Sequence, residues 1–279
     1  MISVRSALRA SNYKKERKQM KHKFLCLLLT LTLILGLAAT VSADEGFITS
    51  GDWTYAYNAD GHLMLVRYLG TDPHVTVPAE IDGQKVHTLG YTLSCPFSGV
   101  RETLTSVTIE PGVQTIASQA FKGCTALTEA DIPDTVTHIS AYAFEGCTAL
   151  ESIEIPGSVQ RIGFDSFRNC TKLAQVHLNE GTLLIGDSAF RNTALTSITV
   201  PASVTSIDTD SFYGCTAITS VGPIGSGADY QYGWTEAIPA NAFCNLTKLA
   251  TAKIPASIES IGSNAFGGCS KLVEIRFSN

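Results

Sequence analysis

Carboxylates lead the side chains whose spacing admits chemistry. Glu129, Asp131 and Glu154, with Glu151 beside them, fall in one short stretch of the 279-residue chain. Two carboxyl groups at a defined separation hydrolyse glycosides when one keeps its proton, and the sequence gives no sign of either condition. Tyr230, Tyr232 and Trp234 stand among Gly222, Gly225, Gly227 and Gly233, and are amphipathic side chains of the kind that anchor interfaces. His62, His74, His87, His138 and His177 are scattered without metal-ligand spacing, and no H-E-x-x-H is present. Seven cysteines follow Cys26 without a C-x-x-C pair, which excludes the common zinc frameworks. Gly225-Ser226-Gly227 lacks the strand and helix of a nucleophile elbow. No catalytic residue, metal site or cofactor is therefore assigned, and the expected chemistry is recognition.

Charge narrows the partner. The chain carries 20 Lys and Arg against 25 Asp and Glu, net −5. Residues 1–43 hold eight of those basic residues and one acid, leaving 12 against 24 and net −12 for the rest. Such a surface lacks the basic footprint of a nucleic-acid binder and is repelled by anionic membranes. Lys21 and Lys23 precede an apolar stretch at residues 24–39, and Val41-Ser42-Ala43 follows. That order reads as a secretory signal peptide with cleavage after Ala43, a retained anchor being the alternative, and residues 1–19 read as an over-extended start before Met20. The expected product is secreted or held at the cell surface, with no membrane insertion after cleavage.

The elements that position these residues follow from an internal repeat. Phe121, Phe144, Phe167, Phe190, Phe212, Phe243 and Phe266 recur at spacings of 23, 23, 23, 22, 31 and 23. Ile116, Ile139, Ile162, Ile185, Ile207, Ile238 and Ile261 stand five residues before them without exception. Cys124, Cys147, Cys170, Cys215 and Cys269 stand three after, with Thr193 and Leu246 as departures. A third block reads Leu104, Val107, Ile109 in the pattern L-x-x-V-x-I, repeats through Leu249, Ala252 and Ile254, and is often closed by Pro133, Pro156, Pro201 or Pro255. Its alternation predicts one short strand per unit, stopped by the proline. A unit of about 23 residues cannot bury its own apolar face, so stacked neighbours must share a core and ladder their strands in parallel. The A-F-x-x-C segment suits a helical turn returning the chain, giving an α/β repeat solenoid of about seven to eight repeats.

The run C-T-x-L-x-x-I-x-I-P-x-x-V-x-x-I-x-x-x-A-F, nearly unbroken over residues 124–144 and 147–167, resembles the BspA-like leucine-rich repeats of bacterial surface proteins. The resemblance covers roughly residues 75–279. It implies a secreted or surface protein that binds rather than catalyses, with a host, extracellular-matrix or neighbouring-cell protein as partner. It carries no catalytic residue, because the motif is a set of packing positions. Residues 44–97 are expected to hold an amino-terminal β-hairpin cap, strands 53–57 and 63–69, and a degenerate first repeat; residues 98–279 hold the array.

If the apolar columns face inward, the residues between them form two outward rows. Glu129, Asp131 and Glu154 make the early rows acidic, His177 and serines make the middle neutral, and Lys253 and Arg276 make the late rows basic. The competing reading is a solvated face in an acidic protein. The 31-residue spacing marks an insertion at residues 222–236, and repeat insertions often map to a binding face. Its three aromatics are expected either to bind or to cover the solenoid edge. The column cysteines read as a reduced core ladder, with Cys95 and Cys244 outside it as candidates for a bridge or an exposed thiol.

Overall fold

A computed structural model describes residues 46–91, 94–201, 203–204, 206–221, 237–238, 240–255 and 258–278, with the backbone of Thr40–Val41. The rest of the expected signal segment and the 222–236 insertion, with Tyr230, Tyr232 and Trp234, lie outside the described residues. The chain divides into two compact units, Met1–Gly51 and Asp52–Asn279. In the first, Ile48–Ser50 pairs antiparallel with Thr40–Val41. No described helix is long and apolar enough to cross a membrane.

The second unit opens with a hairpin, Trp53–Tyr57 against Leu63–Tyr68. Asn58 Oδ1 fixes its turn by accepting from the backbone N–H groups of Asp60 and His62, each at 2.9 Å. Leu63–Tyr68 then pairs in parallel with Gln84–Leu89, and Trp53 and Tyr68 place their rings 5.8 and 6.0 Å from that of Phe97.

Each subsequent turn contributes two short strands where the sequence predicts one. The isoleucine ladder runs through Gln84–Leu89, Thr115–Ile116, His138–Ile139, Arg161–Ile162, Leu184–Ile185 and Ser206–Ile207, all parallel. Ala237–Ile238 pairs likewise with Ser260–Ile261. The β-face ladder comprises His74–Val77 and the strands of the third block: Ser106–Ile109 and Glu129–Asp131, then Ser152–Ile155 with Gln175–Leu178, then Ser197–Ile198, the variant Ser220–Val221, Thr251–Pro255 and Glu274–Ser278. The second ladder exists because a 23-residue repeat brings any extended pair of residues into register with its copy on the next turn.

The described residues contain no helix, which corrects the α/β expectation. Two columns of left-handed residues explain it. Gln119, Tyr142, Asp165, Ser188, Asp210, Asn241 and Asn264, two before each Phe, have φ of 53 to 65°; Gly123, Gly146, Asn169, Asn192, Gly214, Asn245 and Gly268, two after, have φ of 58 to 75°. Alternating handedness aims every other N–H along the solenoid instead of back into the turn. Gln119, Phe121 and Gly123 thus donate to the carbonyls of Ala141, Ala143 and Glu145 on the next turn, and Tyr142, Phe144 and Gly146 repeat the pattern. A third seam of hydrogen bonds replaces the helix, and the Gly and Asn column was its sign in the sequence.

Eight rings, Phe97 to Phe266, stack face to face with centroids 4.8 to 5.7 Å apart. The ring pair Phe212 and Phe243 flanks the insertion at 5.7 Å and 7°, so the extra residues leave the core period intact. Each fully buried ring contributes about 2–3 kcal/mol by removal from water.

Candidate β-face binding groove

Among the described residues the β-face ladder breaks twice, between Glu129–Asp131 and Ser152–Ile155 and between Gln175–Leu178 and Ser197–Ile198; the first break carries the acidic row. The 23-residue offset would set Asp131 opposite Glu154 and Glu129 opposite Ser152, and like charges directly opposite destabilise a strand pair. The column residue there is Ala130, where Val107 and Ile153 stand in the flanking units. Val107 and Ile153 are buried, whereas Ala130 and Ile132 are only half-buried. A small residue alone does not open the ladder, since Ala252 in the same column is buried and its strand pairs on both sides; what sets this break apart is the like charge on its two edges.

Along the first break runs an open groove of about 650 Å³, with a half-exposed apolar floor of Ala130, Ile132 and Pro133 and a rim carrying Glu129, Asp131, Asp134, Glu151 and Glu154. All five carboxylates are exposed. Thr108 Oγ1 donates to Asp131 at 3.4 Å and Asn179 Nδ2 to Glu154 at 3.1 Å. Among the described residues no cation forms an ion pair with any of the five. Several unneutralised carboxylates around an apolar floor attract a cationic partner and give it surface to bury. The described residues hold no group of His, Cys, Asp or Glu arranged to bind a metal.

The predicted residues thus fall in two places. Glu129, Asp131 and Glu154 line one groove, and His177, in register with Glu154, is exposed on the next strand. Lys253 and Arg276 pair in register on adjacent strands, both exposed and outside the groove. Arg276 Nε lies 2.7 Å from Glu274 Oε1, so part of the late positive row is neutralised within its own strand. Sequence reasoning missed Asp134 and the half-exposed floor. Asp134 follows the strand-ending Pro133, so an inward and outward count along the strand does not reach it.

The seven cysteines from Cys95 onward are free thiols. Cys147, Cys170, Cys215 and Cys269 donate to the Phe121, Phe144, Phe190 and Phe243 carbonyls, one unit back, at 3.0 to 3.2 Å. Burial pushes Cys147 well up and Cys215 to about 11, so these column sulfurs act as neutral core donors.

The BspA type leucine rich repeat region matches residues 96–219 and 236–279 in six copies. A leucine rich cell surface protein from Faecalibacterium prausnitzii A2-165 is 27% identical over 83% of this chain and 76% of its own, with a TM-score of 0.55. The T. pallidum leucine rich repeat protein is 25% identical over 84% of this chain and 91% of its own, also at 0.55. The pneumococcal vaccine antigen PcpA shares the fold at 20% identity and a TM-score of 0.59, over 85% of this chain and 71% of its own. No curated protein matches. With the repeat matched over more than half its length, and with the ring stack and parallel ladders that the repeat builds, the chain belongs to the BspA type leucine-rich repeat family.

Proposed function

We propose that this protein is an exported, non-catalytic binding module that docks a basic segment of an extracellular protein in the groove between Glu129–Asp131 and Ser152–Ile155. The observation that carries the reading is the opened ladder, which exposes apolar floor beneath a ring of carboxylates. The cell-surface description of the 27% identical relative supports placement outside the cytoplasm. In this reading residues 1–43 are removed after Ala43, and the hairpin Trp53–Tyr57 and Leu63–Tyr68 caps the array through its contacts with Phe97. Tyr230, Tyr232 and Trp234 add a second contact, and the partner is a host, matrix or neighbouring-cell protein.

The test is capture of matrix proteins and epithelial-surface proteins on immobilised protein at low and high salt. Rim charges act mainly on association rate, so capture should slow as salt rises and slow about tenfold in the triple variant Glu129→Gln, Asp131→Asn, Glu154→Gln. Unchanged capture by this variant removes the groove from the reading, and unchanged capture by a Tyr230, Tyr232, Trp234 triple Ala variant removes the loop. Binding confined to a glycan array would favour a carbohydrate-binding protein, and no capture at all a passive envelope repeat.

A further inference from the structure

Cys95 and Cys124 depart from the thiol column in a way that gives them chemistry of their own. Four column cysteines spend their S–H on a Phe carbonyl one unit back. The corresponding partner for Cys124 would be Phe97, but its Sγ instead faces Cys95 Sγ at 4.0 Å. Cys95 stands two residues before Phe97, off the cysteine column, and donates its S–H to the Ala120 carbonyl at 3.3 Å, a bond that closure would give up. Closing the remaining gap to bonding distance still sacrifices none of those four carbonyl contacts. The rings of Phe97 and Phe121, stacked at 5.0 Å, hold the two turns against each other. Arg101 packs its side chain over Gly123, next to Cys124, with its Cδ 3.3 Å from where a Cβ would sit.

We propose that Cys95 and Cys124 are a modification site, a thiol pair that a small organic disulfide converts to an intramolecular disulfide joining the first two turns of the ring stack. The two sulfurs divide the roles. With the Cys95 S–H held by the Ala120 carbonyl, Cys124 is the donor between the two sulfurs; its bond favours the Cys95 thiolate, opposed by burial and by that carbonyl, and assisted by the Phe97 backbone and Arg101. The same bond, followed by burial, pushes Cys124 up and keeps it protonated. The Cys95 thiolate attacks one sulfur of R–S–S–R, forming a mixed disulfide and releasing one RS⁻. Cys124 then loses its proton, attacks the Cys95 sulfur and expels the second RS⁻. Two thiols are oxidised, one small disulfide is reduced, and two RSH leave. The loop closed spans 29 residues, which on the chain-entropy account shifts the folding equilibrium by roughly two to three orders of magnitude.

The experiment incubates the folded full chain with oxidised glutathione, quenches with acid, alkylates and maps the peptides by mass spectrometry. The expected product is a Cys95 to Cys124 cross-linked peptide, with the cysteines of the Phe-carbonyl column alkylated. Cys95→Ser should abolish the link and Cys147→Ser should leave it in place. Protease digestion in urea reads the second effect, with the oxidised protein cut about a hundredfold more slowly than the reduced. Recovery of Cys95 alkylated alongside the column thiols, or linked instead to Cys147 or Cys170, overturns the assignment. If Cys95→Ser fails to fold, the peptide map of the unaltered chain decides.

Discussion

The turn segment around each Phe and the β-face strand of the same repeat answer to different constraints. In the turn, the ring is buried against rings on both sides, residues two before and two after are left-handed, and alternate N–H groups bond the next turn. Such a position tolerates few side chains, so the units repeat nearly unchanged. On the β-face, one row of each strand packs and the other meets water. There Glu129 and Asp131 replace Ser and Thr, Ala130 replaces Val, and the ladder opens. Specialisation is cheapest where a departure costs only part of one strand's pairing.

The contrast breaks most sharply at the rings. Phe167→Ala removes a fully buried side chain stacked 5.0 Å from Phe144 and 5.3 Å from Phe190. It should cost about 3–5 kcal/mol in a urea titration, and a loss below about 1 kcal/mol would mean that the stack is not the main support of the solenoid.

Next is the left-handed column. Gly146 has φ of 73°, and an added Cβ would meet only ordinary contacts near Gly123. Gly146→Ala therefore isolates backbone strain, and should destabilise by about 1–2 kcal/mol in the same titration.

The groove should respond in the opposite sense. Ala130→Val restores the column type and buries two more methyl groups, so stability should rise by about 1 kcal/mol, while the carboxylates stay apart and capture of a basic ligand is unchanged. Capture lost as stability rises would show that the gap comes from the small residue rather than from charge repulsion.

The smallest effect lies at the hairpin. His62 and His87 stack at 4.2 Å and 4°, and burial, then the neighbouring His62, hold His87 below its ordinary 6.5. The unfolded chain thus binds more protons as pH drops, so stability is full above about 6.5 and declines below it toward the depressed folded value. The urea midpoint should be lower at pH 5.5 than at 7.5, and His62→Gln should shrink that difference; an unchanged midpoint would contradict it.

Much of this fold was legible in the residues. The Phe, Ile and Leu columns announced stacked turns with a shared core, and Asn58-Ala59-Asp60-Gly61 announced the hairpin. Glu129, Asp131 and Glu154 were legible as an outward acidic row for the same reason, since period-two alternation assigns faces. The missing helix was not, because a short apolar turn reads alike whether its N–H groups close a helix or reach the next turn. Nor was the second ladder, whose strands are mostly two residues long and carry no alternation of their own.

What the sequence by itself determined is the period, and with it the stacking, because a 23-residue unit has no other way to bury its columns. It also determined the excess of acidic over basic residues. Only the tertiary structure decided that the acidic row opens into a groove with an apolar floor, and that Cys124 faces Cys95 instead of a Phe carbonyl. Both depend on the gap between one turn and the next, a distance set by charges, side-chain volumes and hydrogen bonds acting across units rather than within any one of them.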